Sequence, residues 1–361
     1  MKTKTFLAAL LCFGFGIQLY TVCQINNKYS NTPSVGNWTA VEPAHQLPSN
    51  MAPYGFLEKM KNVTSPIEKR FQNFGPYKVK CLQTPCNDKK MNIITVFFPE
   101  GLETDTSSWP LVIMVNGTGV GASKYASIFE HLASWGFIVA GNEDEMSGSG
   151  KSTSVTLDFM LRENARKGSP FYHHIDTTNI GVAGHSQGGA GTFNAIGAMA
   201  NGKRYKAAFS MSPAHKDLAA VIKSDYDVSK VDKPIVITAS TSAEGFLHDA
   251  DDGKGNRICD ISDMRKTLQL IHAAHPTVPV IIARLSDKSK NHGENLMESE
   301  PYLASWFAYW LKGDKEAGKA FLGASPEIKN NKRWQDVECI KIERMNSDTN
   351  TSVKKNKERC L

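Results

Sequence analysis

The sequence predicts an α/β fold, with a mostly parallel sheet and helices on both faces. Three observations carry this reading. Short apolar runs alternate with helix-spaced segments from about residue 77 to 322. One run, Pro110 to Val115, is apolar throughout, as a central strand covered on both faces requires. The stretch Asn179 to Ala190 passes from an apolar run into a helical pattern through a glycine-rich turn.

In chain order, Lys2 and Lys4 precede an apolar stretch from Phe6 to Leu19, which makes residues 1–23 read as a secretory signal peptide. That stretch is short for a membrane-spanning helix, and no later run is long enough to span. Residues 24–75, rich in Asn, Pro and Ser, read as an extended arm with one helix near Pro66 to Phe74. Tyr77 to Leu82 and Met91 to Phe98 read as an antiparallel edge hairpin. After the central strand the pattern gives a helix over 123–134, a strand over 137–140 and a helix over 153–166. A strand over 180–183, a helix over 187–200 and strands over 206–211 and 234–239 follow. A helix over 263–273, a strand over 278–285 and a helix over 301–312 complete a single domain over 76–325. Residues 326–361, charged and rich in Asn and Lys, read as a mobile or disulfide-tacked tail.

With 41% hydrophobic residues, the 361-residue chain can bury a substantial core. Its net charge of +6 is scattered, without a basic stripe interleaved with aromatics, which argues against nucleic acid as a partner. Beyond the signal lie Cys81, Cys86, Cys259, Cys339 and Cys360. Their use fits export, with Cys81–Cys86 and Cys339–Cys360 as expected disulfides and Cys259 free. A lone C-x4-C without a second close Cys/His pair argues against zinc. Asp249-Ala-Asp-Asp-Gly253 resembles a calcium loop, but Gly253 stands where an oxygen ligand is needed, so it reads as a solvated acidic turn and no metal is expected. Asn37, Asn62 and Asn350 are sequons usable in a eukaryotic secretory pathway.

The chemistry centres on Gly184-His-Ser-Gln-Gly188, a G-x-S-x-G turn between strand and helix. A chain that turns so sharply strains its central residue, and the flanking glycines keep neighbouring backbone clear of it. Ser186 is therefore the candidate nucleophile. The helix N-terminus beneath it offers the Gln187 amide to an oxyanion. A second donor is expected from the loop after strand 110–115, at the Thr118 amide, which places Asn116 at the site and makes glycosylation there unsuitable. In nucleophile-acid-base order, His292, just past strand 280–285, is the candidate base. The acid is expected on the loop after strand 234–239, where Glu244 is the first carboxylate and the preferred one. Asp249 is the next.

Several stretches carry a family resemblance: Gly75-Pro-Tyr77, Leu132 to Val139, Ser169-Pro-Phe-Tyr172, Ile175-Asp-Thr177, Gly181 to Gly189, Lys206-Ala-Ala208 and Asn291-His292. Over about residues 75–322 the chain resembles the α/β-hydrolase family of cutinase-like bacterial polyester hydrolases, including the poly(ethylene terephthalate) hydrolases. Dienelactone hydrolases and chlorophyllases are more distant likenesses. The resemblance implies an α/β-hydrolase fold, with Ser186 as nucleophile, His292 as base and the Thr118 and Gln187 amides as oxyanion hole. The chain departs from the family at Thr118, where an aromatic is usual, at Gln187, where Met is common, and at Ala214, where a Trp lines the cleft. The family's acid position aligns near Ala243, so Glu244 requires a one-residue shift. The departures remove the aromatic clamp for a polymer ring and leave ester hydrolysis.

The expectation is a secreted or periplasmic, monomeric serine ester hydrolase that needs no cofactor and no partner besides its ester substrate. A catalytically silent hydrolase-like binding domain is the alternative of another class. Acyl transfer by the same residues is a third reading.

Overall fold

A computed structural model describes residues 37–41, 63–103, 106–244, 247–253 and 257–340. The expected signal peptide, most of the arm, Cys360 and the sequons at Asn62 and Asn350 lie outside these residues. Among the described residues ten strands form one sheet: β1 (Thr39–Val41), β2 (Val79–Pro85), β3 (Ile93–Pro99), β4 (Trp109–Val115), β5 (Ile138–Asn142), β6 (Ile175–His185), β7 (Tyr205–Met211), β8 (Ile235–Ala239), β9 (Val280–Leu285) and β10 (Trp334–Ile340). Their spatial order is β1-β2-β3-β5-β4-β6-β7-β8-β9-β10. Pairings from β5 to β9 are parallel; those at both margins are antiparallel. The helices that matter for the site are α1 (Pro66–Gln72), α2 (Ala126–Ser134), α3 (Lys151–Ala165), α4 (Gln187–Gly197), α5 (Lys216–Val221), α6 (Ile261–Ala274) and α7 (His292–Lys312).

Strand side chains alternate between faces, so each central strand feeds two cores. In β4, Leu111, Ile113 and Val115 enter one cluster, which also holds Leu157 and Met160 of α3, Phe193 and Ile196 of α4, and Met264, Leu268 and Ile271 of α6. Val112 and Met114 enter the other, with Ile128, Phe129 and Leu132 of α2 and Leu303, Trp306 and Phe307 of α7. Every residue of β4 is buried, as its unbroken apolar run requires. Each fully buried Leu, Ile or Phe side chain contributes roughly 1.5–3 kcal/mol, enough to hold the strand ends that carry the site.

Four expectations need correction. The sheet does not stop at residues 76 and 325: β1 comes from the arm and pairs with β2, and β10 comes from the tail and pairs with β9. The β2–β3 hairpin is therefore not the edge. Cys81 and Cys86 are not bonded to each other, because Cys81 lies within the extended β2 and Cys86 directly follows it. Extended chain rises roughly 3.3 Å per residue, which carries the two far beyond the roughly 4.4–6.8 Å Cα separation of a disulfide. The last long helix starts at His292, well before residue 301, and runs through Pro301. Its start is set by a capping box, in which Asn291 Oδ1 accepts from Glu294 N at 3.1 Å and Glu294 Oε2 accepts from Asn291 N at 2.9 Å. Among the described residues no helix is long and apolar enough to cross a membrane, and no group of three or more His, Cys, Asp and Glu could hold a metal ion.

Candidate active site

At the C-terminal end of β6 the chain turns through Ser186 straight into α4. Ser186 takes φ 60° and ψ −123°, a conformation that costs a non-glycine residue on the order of 1–3 kcal/mol. Its surroundings impose it. Ser186 N donates to Met211 O at 2.9 Å, while Ser186 O accepts from Gly189 N at 2.9 Å and from Ala214 N at 3.2 Å. The two motif glycines make the turn possible. A Cβ at Gly184 would lie 2.2 Å from Gly188 O, and one at Gly188 would lie 2.1 Å from Val115 O. The Ser186 side chain is left half-buried at the rim of the sheet.

His292, the first residue of α7, is 3% exposed and donates from Nδ1 to Asp249 Oδ1 at 2.7 Å. Asp249 is completely buried. Its other oxygen, Oδ2, accepts from the Ser212 hydroxyl at 2.6 Å and from Ser240 N at 2.8 Å. Burial alone would push this carboxyl up, but the facing His292 and the three hydrogen bonds together hold it below the usual carboxylate range. Asn295, one turn into α7, donates to the Ser212 hydroxyl at 2.9 Å and extends the network. An ionised carboxylate only accepts, so the proton of this contact sits on Nδ1 and neutral His292 keeps its lone pair on Nε2. That Nε2 is buried without a hydrogen-bond partner among the described residues.

The expectation that Glu244 faces His292 is corrected here. Glu244 is exposed, and its backbone N–H donates to Ser242 Oγ at 3.1 Å. The carboxylate on the imidazole belongs to Asp249, farther along the same loop. Distance from the strand end was a poor guide, because Asp249 is fastened by Ser212 beyond β7 and Ser240 beyond β8. The same contacts show Asp249 to be no free acidic turn.

The loop after β4 lies beside Ser186: a Cβ at Gly117 would be 3.5 Å from Ser186 Cβ. Gly117 N donates to Tyr125 Oη at 2.9 Å and Gly119 N to Glu145 O at 2.9 Å. Between them the Thr118 amide has no acceptor among the described residues, nor has the Gln187 amide at the first position of α4. Asn116 is buried, its Nδ2 donating to Asn142 O at 2.6 Å and to Asp144 O at 3.0 Å, so its side chain is out of reach of a glycan. Ala214, at the position of the family's cleft Trp, is 1% exposed and offers no ring. The Gln187 side chain is buried, with Nε2 at 3.5 Å from Ile222 O and 3.9 Å from Met146 Sδ.

Sequence reasoning ranked Asp249 second to Glu244 and missed Ser212 and Ser240 that hold it, Asn295 that bonds Ser212, and two further neighbours. His185 donates from Nε2 to His292 O at 2.9 Å, and Tyr125 braces the Gly117 loop. His185 stands inside the motif and was open to notice; the others become neighbours only through folding.

Residues 74–244 match the model of the PET hydrolase-like family. The matched segment contains Ser186, Gln187 and Thr118 and ends before Asp249 and His292. No curated protein matches the chain.

Proposed function

We propose, from the premise that residues 74–244 make this chain a PET hydrolase-like α/β-hydrolase acting on esters, that it is a secreted, monomeric serine carboxylic-ester hydrolase. The observation that carries the proposal is His292, with Nδ1 at 2.7 Å from a buried carboxylate and Nε2 buried without a partner among the described residues, together with the strained turn that bears Ser186.

In this reading Ser186 Oγ attacks the ester carbonyl while His292 Nε2 takes the hydroxyl proton. Asp249 stays ionised, orients the ring and stabilises the imidazolium that forms. The carbonyl oxygen becomes an oxyanion and accepts from the Thr118 and Gln187 amides, which have no competing acceptor among the described residues. Collapse of the tetrahedral intermediate breaks the C–O bond, and the imidazolium gives its proton to the departing alkoxide. Water, deprotonated by the same Nε2, then attacks the acyl-enzyme and releases acid and free Ser186.

The departures at Thr118, Gln187 and Ala214 support small or aliphatic esters over aromatic polymer. The test is turnover of p-nitrophenyl esters across acyl lengths, with labelling by a serine-directed phosphonate in parallel. Turnover together with label on Ser186 supports the proposal. A folded protein that shows neither is a silent binding domain.

A further inference from the structure

The loop that offers the Thr118 amide is built to be soft. Gly117, Gly119 and Gly121 occupy alternate positions, and glycine leaves both backbone dihedrals free. An oxyanion donor has to be held to within about 0.5 Å of its working place, so something outside the loop must hold this one. Glu145 O holds one side by accepting from Gly119 N at 2.9 Å, and Val120 N folds back onto Gly117 O at 3.4 Å. Tyr125 holds the other.

Tyr125 ends the short 3₁₀ turn Ala122–Tyr125 that leads into α2, and its ring is 1% exposed within the apolar cluster. The hydroxyl emerges from that cluster and accepts from Gly117 N at 2.9 Å. A Cβ at Gly117 would lie 3.1 Å from Tyr125 Oη, 3.3 Å from His185 O and 3.5 Å from Ser186 Cβ. One small volume therefore brings together the hydroxyl, the start of the loop and the base of the nucleophile.

We infer that Tyr125 is a positioning residue of the oxyanion hole. By taking the Gly117 N–H it fixes the peptide before the Gly117–Thr118 unit, and the Thr118 N–H is the loop amide left over for the substrate oxygen. The ring anchors this hydroxyl in the core, so the soft loop inherits the rigidity of α2. The inference rests on the ester-hydrolase reading of the site.

The test is Tyr125→Phe, which keeps the ring and removes the acceptor. The expected result is a fall of about tenfold or more in kcat with KM within about twofold of wild type. Affinity for an alkyl boronic acid, whose tetrahedral adduct on Ser186 places an oxygen in the hole, should weaken by a similar factor. A role confined to packing would leave both readouts unchanged. Should Tyr125→Phe fail to fold, 3-fluorotyrosine placed at position 125 keeps the shape, weakens the oxygen as an acceptor, and should lower kcat in the same direction. Unchanged kcat and boronate affinity overturn the inference. A wild-type protein that neither turns over esters nor labels at Ser186 overturns the hydrolase reading itself, so the two failures are distinct.

Discussion

His185 Nε2 donates to the backbone carbonyl of His292 at 2.9 Å, so the residue before Ser186 steadies the helical turn that presents the His292 imidazole. The two rings lie with centroids 4.6 Å apart. Burial pushes the His185 ring down in pKa, and a positive charge on His292 would push it further, to about 3. It therefore stays neutral and keeps a proton to donate. His185→Phe should lower kcat about tenfold while His185→Gln, which can still donate, keeps most of it. The sign of the pH effect follows from the depressed value. The unfolded chain takes up a proton at His185 that the folded chain refuses, so stability falls as pH drops from the ordinary histidine value towards about 3. The slope is about 1.4 kcal/mol per pH unit, and urea unfolding at several pH values should find it missing from His185→Phe.

Asp249 and Glu244 separate cleanly by mutation. Asp249→Asn should cost on the order of 10⁴ in kcat, because an amide no longer enforces the tautomer of His292. Glu244→Gln should leave kcat/KM within about twofold. Acid titration adds a check with a defined sign. The folded Asp249 carboxyl is held below its usual range, so its stabilising contribution is whole above the ordinary carboxylate value and is lost progressively as pH falls from there to the depressed value. The stability gap between wild type and Asp249→Asn should narrow across that window and not above it.

Ser186→Ala should remove ester turnover by at least about 10³-fold and abolish phosphonate labelling. Circular dichroism should remain that of the wild type, because the elbow is held by backbone hydrogen bonds and not by the hydroxyl.

Gly184→Ala and Gly188→Ala bring a methyl group to 2.2 Å and 2.1 Å of backbone oxygens, where no side chain can move aside. Each should destabilise by about 1–3 kcal/mol, read as a lower urea midpoint, and lower kcat as well by displacing Ser186.

Glu68 of α1 is completely buried and accepts from Arg333 Nη1, from Trp334 Nε1 at 3.0 Å and from Asn331 Nδ2 at 2.8 Å. This ties the start of the domain to the segment leading into β10. Arg333→Ala strands a buried carboxylate and should cost about 3 kcal/mol, measurable by thermal unfolding.

Legibility in the sequence followed local physics. Ser186 stood out because a strand that becomes a helix within one residue has a steric requirement, and only a few residue patterns meet it. The β4 run was plain because both of its faces are covered. Asp249 was obscure because its place is decided by Ser212, beyond another strand, and by the Ser240 amide at the start of its own loop, contacts that leave no mark on spacing. β10 was hidden because Trp-Gln-Asp-Val-Glu-Cys-Ile alternates poorly, and β1 because three residues carry no period. Pro301 looked like a helix start, since proline favours the first turn, and so it concealed the true start at the Asn291 cap.

Both outer margins of the sheet are poor templates for another strand. β1 offers only three residues, and β10 is broken by a register shift between Gln335 and Glu338, with Asp336 at φ 52°. Charged pairs, Arg284 with Asp336 and Arg265 with Glu338, lie along it. Short, kinked and charged margins discourage edge-to-edge joining. β1 and β10 cover the edges of β2 and β9, and a truncation that exposed either would be expected to aggregate before it lost the contacts around His292.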